Sequence, residues 1–289
     1  MCVMPFAYSP LARYRILSPR ASLRVSPLCL GSMNFGNACK NYMGECDQKT
    51  TGGILDVYYE NGGNFIDTSN NYQNEESETW IGEWMKKRGN RDQMVIATKF
   101  STNFRGRAGV EPNEIMANFS GNGTKSLHKL QTDYIDLVNF STSIPELMQS
   151  LGAMVKSGKV LYLGISDTPA WVVSKANQYA RDHGMRQFNR EIIPMARDEG
   201  MAIAPWGALG GGAFKTEAQR KAQDGRQAPP DKKSVKISKL LEATAERKNT
   251  IITSVALAYV MRKTPYVFPI VGGRKVEHLK GNIEALTLS

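Results

Sequence analysis

The sequence has no hydrophobic run long enough to cross a membrane. Its longest nearly apolar stretch runs from Ile251 to Met261, includes Thr253 and Ser254, and falls well short of the roughly 18 to 20 residues that a spanning helix needs. A long apolar segment of the kind found in secretory signals is also missing. We therefore expect no membrane partner, and the sequence argues against secretion.

Cysteine is scarce, and its spacing argues against two kinds of site. The four cysteines, Cys2, Cys29, Cys39 and Cys46, all lie near the N-terminus, and none forms a C-x-x-C pair. This pattern predicts neither a zinc site nor a disulfide framework. It favours a reducing compartment, and we expect a cytoplasmic protein.

Acidic residues are absent before Glu45, whereas Arg13, Arg15, Arg20 and Arg24 recur there among serines. Organellar transit peptides have this composition. One interpretation of the N-terminal residues is therefore a targeting segment.

Basic residues exceed acidic ones, with 37 Lys and Arg against 27 Asp and Glu, a net charge of +10 and a pI near 9.4. This charge suggests an acidic partner: nucleic acid, a membrane surface or a phosphorylated small molecule. About half of the surplus lies between Lys215 and Lys248, in a polar stretch with Pro229 and Pro230 that is typical of a solvated loop. We expect no nucleic-acid partner, and nucleic-acid binding is the alternative that rests on the charge alone.

Alternating apolar runs and helical patterns predict one α/β domain over residues 1–289. With 41% hydrophobic and 22% charged residues, the chain has the composition of a globular protein that can bury a sizeable core. Predicted helices at Lys49 to Asn61, Glu75 to Arg88 and Ile144 to Lys156 each end near a glycine. Between them lie apolar runs typical of buried parallel strands. These runs are Leu28 to Phe35, Asn64 to Thr68, Met94 to Phe100, Tyr134 to Phe140, Val160 to Ser166, Met201 to Trp206 and Val267 to Val271.

The order of these elements indicates how the sheet is built. Strand, helix and strand repeated this often imply right-handed crossovers and a parallel sheet covered on both faces. The first predicted strand is not followed by the G-x-G-x-x-G turn of a dinucleotide-binding sheet. The sequence therefore favours a TIM (β/α)8-type barrel over a doubly wound sheet.

Candidate catalytic residues follow from that fold, because TIM barrels carry their active sites at the carboxyl ends of the strands. Asp67 and Tyr72 follow the second predicted strand, and Lys99 ends the third. A buried Lys99 ammonium would lower the pKa of the Tyr72 hydroxyl, while Asp67 holds and neutralises the lysine. Tyr72 would then serve as a proton donor. The alternative is that Asp67 and Lys99 form a purely structural ion pair.

Four motifs at these strand ends resemble the aldo-keto reductase superfamily, and within it the fungal branch of aryl-alcohol dehydrogenases and norsolorinic acid reductases. The motifs are Asp67 to Tyr72, Ala97 to Lys99, Gly164 to Asp167 and Val271 to Arg274. The resemblance runs from about Arg13 to Leu286 and implies a single barrel domain. It also implies that residues 1–27 form an N-terminal extension with a β-hairpin, which weakens the interpretation as a transit peptide.

The resemblance assigns roles to individual residues. Tyr72 matches the proton donor of the family, and Lys99 and Asp67 match the partners that adjust its pKa. The cofactor implied is NADPH/NADP, with the carboxamide on Ser166 and Asp167, the nicotinamide ring on Trp206, the pyrophosphate along a glycine loop and the 2′-phosphate at a helix start. The residues matched to the cofactor are Asp67, Ser166, Asp167, Trp206, Gly207, Gly210, Gly211, Gly212, Gly273, Arg274, Lys275, His278 and Asn282.

The chain departs from the family pattern in two places. The family has a histidine at the end of strand four, where this chain has Ser141, followed by a short connection to Ile144. The three histidines of the chain, His128, His183 and His278, lie elsewhere.

The second departure is at strand six, for which residues 184–189 leave room for a stub at best. We therefore expect a barrel that is missing or truncated at strand six. Two explanations stay open, a decaying paralogue and an error at an intron boundary in the predicted protein.

These observations support two functional hypotheses. The first is an NADPH-dependent oxidoreductase that reduces a small-molecule aldehyde or ketone, an aryl carbonyl, in fungal secondary-metabolite or mycotoxin biosynthesis. The second is a catalytically impaired paralogue that binds NADPH without turnover, because the histidine is missing. No metal site is expected, and the substrate and the oligomeric state stay open.

Overall fold

The computed structural model describes residues 9–99, 126–139, 144–166, 168–185, 193–221 and 231–288. The strands in these ranges are β1 (Arg15–Ser18), β2 (Ala21–Val25), β3 (Cys29–Gly31), β4 (Phe65–Asp67), β5 (Val95–Lys99), β6 (Ile135–Asn139), β7 (Val160–Leu163) and β8 (Ile270–Val271). The α-helices are α1 (Lys40–Met43), α2 (Gln48–Glu60), α3 (Glu76–Arg88), α4 (Ile144–Lys156), α5 (Ala170–Asp182), α6 (Ile193–Asp198), α7 (Glu217–Lys221), α8 (Lys232–Arg247), α9 (Ile252–Met261) and α10 (Val276–Glu284).

Six strands form a parallel sheet in the order β7-β6-β5-β4-β3-β8. Helices connect the consecutive strands of this sheet where the connection is described: α1 and α2 lie between β3 and β4, α3 between β4 and β5, and α4 between β6 and β7, as the predicted alternation of strand and helix requires. β1 and β2 form a separate antiparallel hairpin, in the N-terminal segment where the family resemblance places one. The expectation of an α/β fold with a parallel sheet is therefore confirmed.

A further segment extends this sheet past β8. Ile203 forms a parallel bridge with Val267, its N–H donates to the Tyr266 carbonyl over 2.9 Å, and the Ile270 N–H donates to Pro205 over 3.0 Å. The strand predicted over Met201 to Trp206 is thus a short backbone pairing, which we name the 203 segment (residues 201–205). The described strands form an open arc that ends at the 203 segment on one side and at β7 on the other.

The two ends of the arc share one hydrophobic core. Val160 and Leu163 of β7 belong to the same buried cluster as Met201, and Ile203 packs against it. The stretch predicted to hold a truncated strand six falls largely on residues 186–192, which lie outside the described ranges. Closure of the barrel and truncation of strand six therefore stay predictions.

A fully buried tyrosine connects α2 to the residues just before β3 and to β4. The Tyr58 hydroxyl on α2 lies 2.7 Å from the Ser26 hydroxyl, 2.9 Å from the Leu28 carbonyl and 2.8 Å from the Phe65 carbonyl. Burial raises the pKa of Tyr58 far above its ordinary value. The phenol thus stays protonated in the folded protein.

This shift predicts a loss of stability in alkali. An unfolded tyrosine ionises near pH 10, whereas folded Tyr58 keeps its proton, so above about pH 10 the unfolded state gains about 1.4 kcal/mol per pH unit from this group. Urea unfolding between pH 9 and 11 should therefore show a steeper decline in the free energy of unfolding for the native chain than for Tyr58→Phe. Equal slopes would contradict the prediction.

Candidate active site

The carboxyl ends of β4 and β5 bring a carboxylate and an ammonium together. Asp67 ends β4, and Lys99 ends the neighbouring strand β5. The Lys99 Nζ donates to both carboxylate oxygens of Asp67, over 2.8 and 2.9 Å, and to the Thr68 carbonyl over 2.8 Å. The side chains of Asp67 and Lys99 are only 5% and 19% exposed. A buried ammonium with this set of acceptors has a fixed position.

Tyr72 lies beside this ion pair. It begins a short 3-10 turn, Tyr72–Glu75, and its N–H donates to the Ser69 carbonyl over 3.2 Å. The Lys99 Nζ lies 5.1 Å from the centre of the Tyr72 ring. A cation at this distance from the centre of an aromatic ring is within range of a cation–π interaction. The structure thus brings together the three residues that the sequence predicts to be catalytic.

The turn that carries Tyr72 has an unusual backbone. Gln73, Asn74 and Glu75 have φ angles of 50°, 52° and 81°, in the left-handed region. Gln73 is buried, donates through Nε2 to the Met33 carbonyl over 2.9 Å and accepts through Oε1 from the Cys39 N–H over 2.8 Å. Sequence reasoning missed this role of Gln73, because a polar residue after Tyr72 is typical of a surface loop.

Two residues predicted to bind nicotinamide follow strands of the same arc. Ser166 lies just beyond β7, and Trp206 follows the 203 segment, with 73% of its surface exposed. Since the strands are parallel, both lie at the edge that carries Asp67 and Lys99. An exposed indole at this edge offers a flat apolar face to a planar ring. Asp167, predicted to act with Ser166, lies outside the described residues.

The glycine loop after Trp206 has the backbone that only glycine adopts readily. Gly207, Gly210, Gly211 and Gly212 have φ angles of 68°, 65°, 61° and 91°. A Cβ at Gly207 or Gly211 would meet no atom within 4 Å, so the backbone there is open to a ligand. Such a loop can direct its N–H groups toward a phosphate.

The residues matched to the 2′-phosphate and adenine surround the start of α10. The Arg274 guanidinium packs so closely against Gly44 that a Cβ at Gly44 would overlap it, and His278 lies over Gly273 in the same way. Lys275 is the N-cap of α10 and makes no side-chain capping hydrogen bond. The structure thus groups Gly273, Arg274, Lys275 and His278 at one helix N-terminus, whereas Asn282 is buried on the inner face of that helix.

The other two histidines lie away from this edge. His128 is exposed on helical residues 126–129, before β6. His183 caps the carboxyl end of α5 and stacks on Tyr179 with ring centres 4.0 Å apart. Ser141, which stands in place of the family histidine, lies outside the described residues.

The described ranges were also compared with the requirements of a metal site and of a membrane-spanning helix. In that part of the chain no group of three or more His, Cys, Asp or Glu side chains is arranged to hold a metal ion. None of the helices there is both long enough and apolar enough to cross a bilayer.

Comparison with known proteins agrees with this geometry. The model of the aldo/keto reductase family matches residues 27–289, so the chain belongs to the aldo/keto reductase family and is an oxidoreductase. Members of this family share the TIM-barrel fold and generally use NADP(H).

Three fungal relatives illustrate the similarity. Norsolorinic acid reductase B of Dothistroma septosporum is 55% identical, over 96% of this chain and 78% of the relative. Norsolorinic acid reductase A of Aspergillus parasiticus is 49% identical, over 99% of this chain and 81% of its own. An aryl-alcohol dehydrogenase of Pestalotiopsis microspora is 49% identical, over 97% of this chain and 79% of the relative. The first alignment runs over 309 positions although the chain has 289 residues, so that relative holds residues that this chain lacks.

Proposed function

We propose that this chain is an NADPH-dependent reductase of an aldehyde or ketone, with an aryl carbonyl as substrate, in fungal secondary metabolism. The observation that carries the proposal is the convergence of Asp67, Lys99 and Tyr72 at the carboxyl ends of neighbouring strands. The substrate class is supported by relatives that are named norsolorinic acid reductase and aryl-alcohol dehydrogenase. We further propose that residues 1–289 act as one domain.

The proposed chemistry of the chain is proton transfer. NADPH, when bound, supplies a hydride to the carbonyl carbon of the substrate. The Tyr72 hydroxyl donates a proton to the carbonyl oxygen, and the Lys99 ammonium stabilises the phenolate that is left. Asp67 balances the charge of Lys99 and fixes its Nζ through two hydrogen bonds. The geometry is therefore suited to acid catalysis by tyrosine.

The residues around the same edge fit NADPH. The exposed face of Trp206 would cover the nicotinamide, Ser166 with Asp167 would hold its carboxamide, and the open backbone at Gly207 and Gly211 would approach the pyrophosphate.

At the start of α10 the 2′-phosphate would meet a guanidinium and the N–H groups of a helix N-terminus, which together form a strong anion site. Arg274 and Lys275 supply this site, and the exposed His278 would lie toward the adenine, whereas the buried Asn282 would need to become accessible to reach it. This arrangement favours NADPH over NADH, because NADH has no 2′-phosphate.

A second candidate function is binding of NADPH without turnover. It is favoured by the sequence after β6, where Ser141 stands at the position of the family histidine. Loss of one group that orients the carbonyl typically lowers the rate by about two to four orders of magnitude. Under this second candidate function the proposed cofactor residues still bind NADPH, and Tyr72 does not act on a substrate.

One experiment tests both candidates. The purified chain is titrated with NADPH and, separately, NADH while tryptophan fluorescence is followed, and NADPH oxidation is then measured with a panel of aromatic aldehydes and ketones. We expect micromolar binding that prefers NADPH, quenching of Trp206 fluorescence, and turnover of at least one carbonyl. Binding without turnover would favour the second candidate, and a folded chain that binds neither nucleotide would contradict both.

A further inference from the structure

A buried ion pair lies directly behind the turn that carries Tyr72. Glu78 on α3 is fully buried, and its Oε2 lies 2.7 Å from the Lys129 Nζ, which is itself only 12% exposed. The same carboxylate accepts hydrogen bonds from the Thr98 hydroxyl over 2.6 Å and from the Ser126 hydroxyl over 3.1 Å. The carboxylate is thus charge-paired and well hydrogen-bonded, so its position is fixed.

Lys129 also makes hydrogen bonds to residues at both ends of the turn. Its Nζ donates to the Asn70 carbonyl over 3.2 Å and to the Glu75 carboxylate over 3.2 Å. Asn70 precedes Tyr72 by two residues and Glu75 follows it by three. One ammonium therefore holds the chain on either side of the proposed proton donor.

The turn needs such support. Its three consecutive left-handed residues, Gln73 to Glu75, each have an unfavourable backbone conformation that persists only where the surroundings enforce it. The close contact between α3 and the segment that carries Lys129 depends on Gly82, because a Cβ at this position would overlap the Lys129 carbonyl oxygen. The fold thus brings Lys129 close enough to contact the turn.

We infer that Lys129, fixed by Glu78, is a positioning residue for proton donation by Tyr72. It acts by holding the turn from Asn70 to Glu75 in the one conformation that places the Tyr72 ring beside Lys99. The inference rests on the proposed role of Tyr72. A contribution to folding alone would not require contacts at both ends of the turn.

The test compares Lys129→Met with the double variant Glu78→Gln, Lys129→Met. In the single variant Glu78 loses its charge partner, so we expect lower thermal stability. The double variant removes both charges and should regain much of that stability. We expect kcat to fall about 10- to 100-fold in both variants, because a small misplacement of a reacting group has effects of this size, while the Kd for NADPH stays unchanged.

A matched control removes an ion pair elsewhere. Arg181 on α5 pairs with the buried Glu199 over 2.7 Å, and neither residue belongs to the Tyr72 turn. Arg181→Met should lower the Tm without lowering kcat. A double variant of Glu78 and Lys129 with native kcat would overturn the inference.

A readout without turnover separates this inference from the proposed function. The surroundings of the Tyr72 ring are followed at constant pH by NMR of ¹³Cζ-labelled tyrosine, with Tyr72→Phe to assign the resonance. We expect the Tyr72 resonance to move in the double variant, since Lys99 no longer lies beside the ring, and to keep its native position in Arg181→Met. A native Tyr72 resonance in the double variant would overturn the inference even if the native chain reduces no carbonyl. Full activity of Tyr72→Phe would instead refute the proposed function.

Discussion

Replacing Tyr72 with phenylalanine is expected to lower kcat for carbonyl reduction by about 10² to 10⁴, the contribution typical of a positioned general acid. The substitution removes the only proton that the Tyr72 side chain can donate. It leaves the ring beside Lys99, and Asp67 and Thr68 still hold the ammonium. The measurement is NADPH oxidation at saturating carbonyl substrate, together with the Kd for NADPH from tryptophan fluorescence, which should stay close to the native value.

The control is Tyr259→Phe, which removes a hydroxyl from an exposed tyrosine on α9. This variant should retain native kcat. If Tyr72→Phe also retained native kcat, Tyr72 would have no part in the mechanism, and the ion pair of Asp67 and Lys99 would be structural, as the sequence alone allows.

Replacing Arg274 with alanine should weaken NADPH binding by about 1.5 to 3 kcal/mol, the scale of a hydrogen bond to a charged group. This corresponds to roughly a 10- to 150-fold increase in Kd. NADH has no 2′-phosphate, so its Kd should change little. Titration of both nucleotides against the native chain and the variant measures the change in each Kd directly. Raising the salt concentration should reduce the difference in NADPH affinity between the native chain and Arg274→Ala.

Lys280→Ala is the matched control for this substitution, because it removes one positive charge from the exposed face of the same helix. It should leave the preference for NADPH unchanged. An equal preference in Arg274→Ala and the native chain would refute the assignment of Arg274 to the phosphate.

The sequence predicted the core of the site because that core follows from strand ends. Asp67 and Lys99 each come directly after an apolar run, and parallel strands place such residues at one edge. Helix ends were predictable for a similar reason: Gly89 follows α3 with a φ of 61°, a conformation that favours glycine. At these positions the local sequence was sufficient to predict where the strand or helix ends.

Features that depend on tertiary contacts were not predictable. The left-handed backbone of Gln73 to Glu75 is enforced by partners far away in sequence, among them Lys129 and the Met33 carbonyl. The apolar run before Trp206 predicted a longer strand than the 203 segment forms. Pro205 within it has no N–H to donate, so the run can contribute little to a hydrogen-bond ladder.

The place of β8 in the sheet has a consequence for the synthesis of the protein. β8 lies next to β3, and residues 266–270 pair with the 203 segment, so among the described strands β8 is the latest in sequence and joins the earliest strand of the parallel sheet to a late segment. Until Ile270 and Val271 emerge, the nascent chain exposes two unpaired edges, which are prone to aggregation. A nonsense mutation just before Ile270 would therefore leave β3 without its neighbour on that side and keep this edge exposed permanently.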